Sequence, residues 1–154
     1  MIRFFDILFS IIGLVLLSPL FTVLYLLIRI ESQGGGFYSQ ERIGKNGKPF
    51  KLFKFRSMRI GSDKKGLITI GEKDNRITKT GFILRKYKLD ELPQLWNVFI
   101  GDMSLVGPRP EVKKYTDLYT EEQKQVLQVR PGITDWASIC LLYTSDAADD
   151  RISV

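Results

Sequence analysis

"ILFSIIGLVLLSPLFTVLYLLI", residues 7–28, is the stretch whose reading decides the fold. Its 22 residues carry no charge, and only Ser10, Ser18 and Thr22 bear an aliphatic hydroxyl. As one helix it would extend about 33 Å, enough to cross a hydrocarbon core of about 30 Å. Large apolar residues continue to Ile30 with no small-residue cleavage site, so a cleaved signal peptide is not expected. Pro19 works against a straight helix, because it lacks an N–H and clashes with the carbonyl four residues earlier. The Ser18 hydroxyl can satisfy a backbone group freed there. Broken at Ser18–Pro19, the run becomes two arms of roughly ten residues, each about 15 Å and half the bilayer depth. Arg3 flanks one end and Arg29 the other, with far more positive charge beyond Arg29. The residues leave a spanning and a re-entrant arrangement both open. A buried soluble helix is disfavoured at this length.

Charge builds up immediately after this segment. The chain has 154 residues and a net charge of +6, and between Arg42 and Lys88 there are 15 Lys/Arg against 3 Asp/Glu. Such density seeks phosphates, anionic lipid or nucleic acid, the bland alternative being a solvated face. The absence of histidine excludes imidazole acid–base chemistry and histidine metal sites. The single cysteine, Cys140, excludes an internal disulfide and a cysteine-cluster metal site. Catalysis is left to carboxylates, Lys, Arg, Tyr, Ser or Thr, with a hard cation held by oxygen as an option.

The remaining chain reads as one small domain of mixed elements. "SQGGGF", residues 32–37, is a flexible break. "FKLFKFRSM", residues 50–58, alternates aromatic and basic residues as a short strand, with Lys51, Lys54 and Arg56 on or near one side. "GSDKKG", residues 61–66, is a loop. A helix is predicted from Thr78 or Thr80 through "GFILRKYK", with Phe82, Ile83 and Lys86 on adjoining turns. Asp90 or Glu91 then caps a second helix with Pro93 in its first turn. "QLWNVFI" supplies an apolar stripe of Leu95, Trp96, Phe99 and Ile100, ended by Gly101. "VGPRPE", residues 106–111, is a rigid extended turn. Thr120 with Gln123 forms a capping-box signature for a helix from about Glu121 to Val129, stopped by Pro131–Gly132.

Two chemistry candidates stand out. Asp90 and Glu91 in "KLDELPQL" are adjacent carboxylates beside helix N–H groups and cations, where both can stay ionised. Their side chains point about a quarter-turn apart, so one can attack phosphorus while the other orients Mg²⁺. From these eight residues alone a plain helix cap is an equal reading. Arg109, between Pro108 and Pro110, presents a guanidinium from a stiff support suited to phosphate, although an exposed Arg in a surface turn is common. Lys54, Arg56 and Arg85 can complete an anion site, and each alone is equally a solvated charge or a lipid contact.

Together these motifs carry a resemblance. The Ser-Pro-broken N-terminal segment, "KLFKFRSM", "ITKTGFILRKYKLDELPQLWNVFIGDMSLVGPRPE" and "VRPGIT" resemble the bacterial sugar transferase family, the small monotopic phosphoglycosyl transferases. The match covers about residues 1–138. It implies an α+β, mostly helical fold, with an N-terminal re-entrant membrane helix-break-helix and a small cytoplasmic domain with interfacial helices and a short β-hairpin. The re-entrant helix is expected over residues 1–31 and the catalytic domain over 32–138. The resemblance implies transfer of a sugar 1-phosphate from a UDP-sugar to undecaprenyl phosphate with release of UMP and a requirement for Mg²⁺. It implies location at the cytoplasmic face of the inner membrane, and initiation of polysaccharide or glycoconjugate synthesis, with downstream glycosyltransferases as partners. The aspartate matching Asp90 is then the nucleophile, forming a covalent phosphosugar intermediate, and Glu91 completes the dyad, both near Mg²⁺. Pro108, Arg109 and Pro110 belong to the active site, and Arg85, Lys54 and Arg56 line the anionic-substrate pocket. Ser18–Pro19 makes the membrane helix re-entrant.

The chain departs from the family pattern in places. "GITDWAS" replaces the common "GITGWAQ", at Asp135 and Ser138, and Lys88 stands where a small hydroxyl residue is frequent. The small, acidic residues 141–154 are off the pattern and are expected to be non-native sequence joined to an incomplete domain, a disordered tail being the other reading. The alternative function is an inactive membrane-surface protein that binds anionic lipid through the basic segment. Nucleic acid is not an expected partner, because the membrane segment argues against it.

Overall fold

The computed structural model describes residues 2–32, 34–62 and 75–135. Residues 63–66 of the expected loop, Ser138, Cys140 and the tail at 141–154 lie outside the described residues. The chain opens with two helices, α1 (Ile2–Leu16) and α2 (Ser18–Glu31), bent by 61° at the break. Proline at 19 cannot donate to Val15, four residues back, and the Ser18 hydroxyl donates to that carbonyl at 2.8 Å instead. The expected break is therefore present with its expected repair. The arms are longer than ten residues, because helix continues through the charged flanks on both sides. No single described helix is long and apolar enough to cross a membrane.

α1 is inside-out for a water-soluble protein. Its buried residues are Asp6 and Ser10, whereas Phe4, Phe5, Phe9, Val15 and Leu16 are exposed. Polar groups dock it to the domain. Asp6 accepts from the Ser104 hydroxyl at 2.8 Å and from the Leu105 N–H at 3.1 Å. Arg3 donates to the carbonyls of Val98 and, at 2.8 Å, Phe99, a cation at the C-terminal end of a helix. α2 buries Leu24 and Ile28 instead.

After the break at 32–36 comes an antiparallel hairpin, β1 (Phe37–Ile43) and β2 (Pro49–Phe55), registered Tyr38 with Lys54, Gln40 with Leu52 and Arg42 with Phe50. Its connection places Asn46 and Gly47 at φ 58° and 72°, the double left-handed conformation that Asn-Gly supplies and that suits the strand twist. By strand parity Lys54 shares a face with Leu52, and Lys51 points to the other one, a correction to the expected basic side.

α3 (Lys79–Lys86) starts at a Thr78 cap, whose side chain accepts from the Gly81 N–H at 2.9 Å. A 3₁₀ turn at Leu89–Glu91 follows, then α4 (Gln94–Ile100), ended by Gly101 at φ 104°. Asp90 and Glu91 therefore do not cap α4. Pro93 holds that position, and Lys88 at φ 58° turns the chain into the 3₁₀ turn. The inward faces also differ from the expected stripes. α3 buries Gly81 and Leu84 and leaves Phe82 and Ile83 exposed. α4 buries Gln94, Asn97 and Val98 and leaves Trp96 and Ile100 about half exposed.

The last described part is β3 (Ser104–Val106), α5 (Lys113–Thr116), α6 (Glu121–Lys124) with a 3₁₀ extension to Gln128, and β4 (Gly132–Thr134). The Thr120/Gln123 capping box is formed. β3 and β4 pair in parallel, Ser104 with Gly132 and Val106 with Thr134. A side chain at 132 would lie 2.0 Å from the Gly107 nitrogen, so only glycine lets the chains approach here. The fold is thus α+β with a short hairpin. One core cluster joins Leu24 and Ile28 to Phe55 and Leu84, and a second joins Leu52, Val98 and Met103.

Two consequences are measurable. Asp6→Ala removes two charge-assisted bonds that fasten α1, and should lower unfolding stability by about 3 kcal/mol, with Asp6→Asn losing less. Thermal or denaturant unfolding of detergent-solubilised protein checks this, and unchanged stability would deny the docking role. Glu31, at the end of α2, accepts from the Lys79 and Thr80 N–H groups at 2.7 and 2.8 Å. Slight burial pushes its pKa up, but the bonds from Thr80 and Lys79 outweigh this and hold it below the ordinary 4.5. Its contribution is therefore full above pH 4.5 and lost as pH falls through the lowered folded value. Glu31→Gln should be less stable than wild type at neutral pH, and the gap should close on the acid side.

Candidate active site

The hairpin, the 3₁₀ turn and the Pro108–Arg109–Pro110 turn converge on Glu91. Lys54 Nζ, near the end of β2, lies 2.8 Å from Glu91 Oε1, and Arg109 Nη2 lies 3.1 Å from the same oxygen. Lys54 and Glu91 are mostly buried, whereas Arg109 is half exposed. Burial pushes the Glu91 carboxyl up, and Lys54 and Arg109 together overcome it and hold its pKa below the ordinary range. The proline turn is fixed from behind, because the Pro108 carbonyl accepts from the Gly132 N–H at 2.9 Å and the Pro110 carbonyl from Arg42 at 3.1 Å.

Asp90 faces elsewhere. It lines a cleft of about 250 Å³ together with Lys54, Arg56, Arg59 and Arg85, while Glu91, Arg109 and Pro110 line a small recess beside it. Lys54 belongs to both. Burial raises the Asp90 pKa, Lys54 and Arg85 oppose the rise, and neighbouring Glu91 adds to it. A carboxylate in this setting is a more basic and more nucleophilic oxygen than one in water. Arg85 is held by a bond to the Ser57 hydroxyl at 3.0 Å. Arg56 donates to the Gly35 and Phe37 carbonyls, at 2.8 and 3.3 Å, which places it on the cleft wall at the base of the hairpin.

The structure thus brings Lys54, Arg56, Arg85 and Asp90 to one cleft. It assigns Glu91, Arg109 and Pro110 to the adjoining recess, and Pro108 to a separate small pocket behind the turn. Ser18 and Pro19 act at the helix bend and line neither cleft nor recess. The sequence reading missed Tyr38, Gln40, Arg42 and Tyr115, which also line the cleft. The period-two spacing of Tyr38, Gln40 and Arg42, followed by Asn46–Gly47, is the hairpin signal that finds the first three. Among the described residues no group of three or more Asp, Glu, Cys or His converges as a ready metal cage. Asp90 on the basic cleft, with Glu91 in the recess beside it, still fits Mg²⁺, which keeps waters and takes one or two carboxylates plus substrate phosphate oxygens.

Lys54→Met removes the buried cation from a buried carboxylate and should cost about 2 kcal/mol or more, whereas Arg109→Met at its exposed position should cost under about 1 kcal/mol. Adding Glu91→Gln to Lys54→Met should recover part of the loss. A double-mutant cycle from unfolding curves measures this, and equal effects of the two cations would contradict the burial difference.

The chain matches the bacterial sugar transferase family over residues 1–154. It is 41% identical over 155 residues to a UDP-N-acetylgalactosamine-undecaprenyl-phosphate N-acetylgalactosaminephosphotransferase of Aeromonas hydrophila, covering 99% of this chain and 37% of that protein. It is 39% identical over 137 residues to the UDP-glucose:undecaprenyl-phosphate glucose-1-phosphate transferase of Escherichia coli K12, covering 87% of this chain and 30% of that protein. An exopolysaccharide production protein of Sinorhizobium fredii is 41% identical over 147 residues, covering 86% of this chain and 65% of its own length. The chain therefore spans less than two thirds of each of these relatives. With a family match along its whole length, the chain belongs to the bacterial sugar transferase family.

Proposed function

We propose that the chain carries out the transfer of a sugar 1-phosphate from a UDP-sugar to undecaprenyl phosphate, with release of UMP, as the first step of polysaccharide or glycoconjugate assembly. The observation that carries this reading is the Asp90 carboxylate, partly buried and opening on a cleft walled by Lys54, Arg56, Arg59 and Arg85. The Aeromonas and Escherichia proteins are named for undecaprenyl phosphate and differ in the sugar, and the proposal takes the part they share.

In this mechanism an oxygen of Asp90 attacks the sugar-bearing phosphorus of the UDP-sugar. The bond from that phosphorus to the bridging oxygen breaks, and the electron pair leaves with UMP. The product is an aspartyl phosphosugar. A deprotonated phosphate oxygen of undecaprenyl phosphate then attacks the same phosphorus, the bond to Asp90 breaks, and the carboxylate is restored. Lys54 and Arg85 lower the repulsion between the attacking carboxylate and the diphosphate, and Glu91 keeps Lys54 and Arg109 in place. Asp90 and Glu91 would hold Mg²⁺, which supplies further neutralisation of the diphosphate when bound.

The lipid acceptor places the reaction at a membrane surface, and the helices suit that location. α1 and α2 expose apolar side chains along their outer sides, and α3 and α4 add Phe82, Ile83, Trp96 and Ile100. A bent pair of this kind enters and leaves a bilayer on one side, which we assign to the cytoplasmic face of the inner membrane, beside the basic segment. Nucleoside-diphosphate sugars would reach the cleft from the aqueous side.

The test uses UDP-sugar labelled in the sugar or its phosphate. Wild-type protein denatured after incubation without lipid should retain label, and Asp90→Asn should retain none and lose turnover by on the order of 10³-fold or more. Turnover that needs both substrates bound together, with no adduct trapped, would replace the covalent route by direct attack of the lipid phosphate.

A further inference from the structure

The cleft has two chemistries, and the second is not used by the reaction above. Near Asp90 the wall is cationic. On the far flank it is formed by Val112 and Tyr115, with Tyr115 exposed. The element order explains the separation. The dyad turn packs on β2, β2 pairs with β1, and α5 packs on β1, so Asp90 and Tyr115 lie on opposite flanks of a two-stranded floor. With strands about 4.8 Å apart, flank to flank is on the order of 15 Å. A cationic end beside a nucleophile and an aromatic ring at the other end match a nucleotide, with its diphosphate at one end and a flat base at the other.

Gln40 stands on the floor between these ends. Arg42 Nη2 donates to Gln40 Oε1 at 2.9 Å. A guanidinium only donates, so this bond fixes which way the amide points. Arg42 itself is held by the Pro110 carbonyl at 3.1 Å and lies 4.0 Å from Glu111. The Gln40 oxygen is therefore engaged, and its NH₂ group makes no hydrogen bond to another described residue. An oriented pair of donors in a cleft selects an acceptor. The 4-position of uracil presents a carbonyl there, and cytosine presents an amine, which would meet the amide donor to donor.

We propose that Gln40 reads the base of the nucleotide substrate by donating to its 4-carbonyl, and that Tyr115 supplies the aromatic face on which the base stacks. The assignment rests on the UDP-sugar reading and adds the source of its base selectivity. Stacking tolerates either pyrimidine, so Tyr115 sets affinity and Gln40 sets the choice. Arg42 is a positioning residue, acting through the amide it orients.

The experiment is calorimetric titration of UMP and CMP into the whole detergent-solubilised chain. Wild type should prefer UMP by roughly 10- to 100-fold. Gln40→Glu keeps an acceptor for Arg42 and replaces the two donors, so it should abolish or invert the preference, and the UMP/CMP ratio cancels the repulsion its new charge adds for both ligands. Gln40→Met, which removes donor and acceptor together, should abolish the preference and covers the case in which the charged variant does not fold. Tyr115→Ala should weaken UMP and CMP alike by about tenfold, and Tyr115→Phe should not. An unchanged UMP/CMP ratio in both Gln40 variants, or unchanged affinities in Tyr115→Ala, overturns the assignment. UMP preference in a protein that turns over no UDP-sugar overturns the reaction and keeps the base site. Turnover by Gln40→Glu with the wild-type preference for UDP- over CDP-sugar overturns the base site and keeps the reaction.

Discussion

One buried amide sets the distance between the hairpin and the carboxylate turn. Asn97 of α4 is fully buried and behaves like an extra strand beside β2. Its Nδ2 donates to the Lys51 carbonyl at 2.7 Å, and its Oδ1 accepts from the Phe53 N–H at 3.0 Å. Its own carbonyl accepts from the N–H groups of Gly101, Asp102 and Met103, which closes α4. Apolar packing alone would let β2 slide along the helix, because hydrophobic contact is non-directional. Two opposed hydrogen bonds at a fully buried amide permit one register, and a slip would strand a buried donor and acceptor. Lys54 is the next residue along β2 and Glu91 lies just before α4, so their 2.8 Å contact follows from this clamp.

The docking of the N-terminal helices follows a different rule. In water a small domain hides apolar side chains, and here α1 presents Arg3, Asp6 and Ser10 to the domain and its phenylalanines outward. Polar contacts are the directional ones, so they can fix how α1 lies without using the apolar surface. α2 mixes both modes, with Leu24 and Ile28 in the core and Glu31 bonded to the start of α3. Apolar area is thus left exposed on the outer sides, and the proposed location draws on that exposure.

This inversion explains what the sequence could and could not tell. The break at Ser18–Pro19, the end of α4 at Gly101 and the Thr120 capping box rest on local chemistry and are where local chemistry puts them, whereas the strand expected over 50–58 stops at Phe55 and α4 starts after Pro93. An apolar stripe ordinarily marks the face turned to the core, and on these helices it marks the outer face. On α3 and α4 glycine, glutamine and asparagine face inward, and Trp96, Ile100, Phe82 and Ile83 face out. The β3–β4 pair is three residues a side and depends on the close approach of Gly107 and Gly132, which no periodicity reports. Within the site the acidic pair and its basic neighbours were legible as charges in a short stretch. Which carboxylate faces which cavity was not, since that depends on Lys88 taking a left-handed backbone conformation.

That local conformation gives the two carboxylates different properties. A 3₁₀ turn has three residues per turn, so neighbouring side chains diverge by about 120°. Asp90 is directed to the open cleft and Glu91 to the recess. Both are substantially buried, and burial alone would raise both pKa values. The difference lies in the cations. Glu91 has Lys54 and Arg109 in direct contact and stays ionised, and its charge then adds to the rise at Asp90. Lys54 cannot quench both, because its ammonium is committed at 2.8 Å to Glu91 and acts on Asp90 only through space. Adjacent residues of nearly identical chemistry are thus separated into a fixed, charge-holding member and a more basic member open to the cleft. The separation comes from one turn of backbone and the placement of two cations.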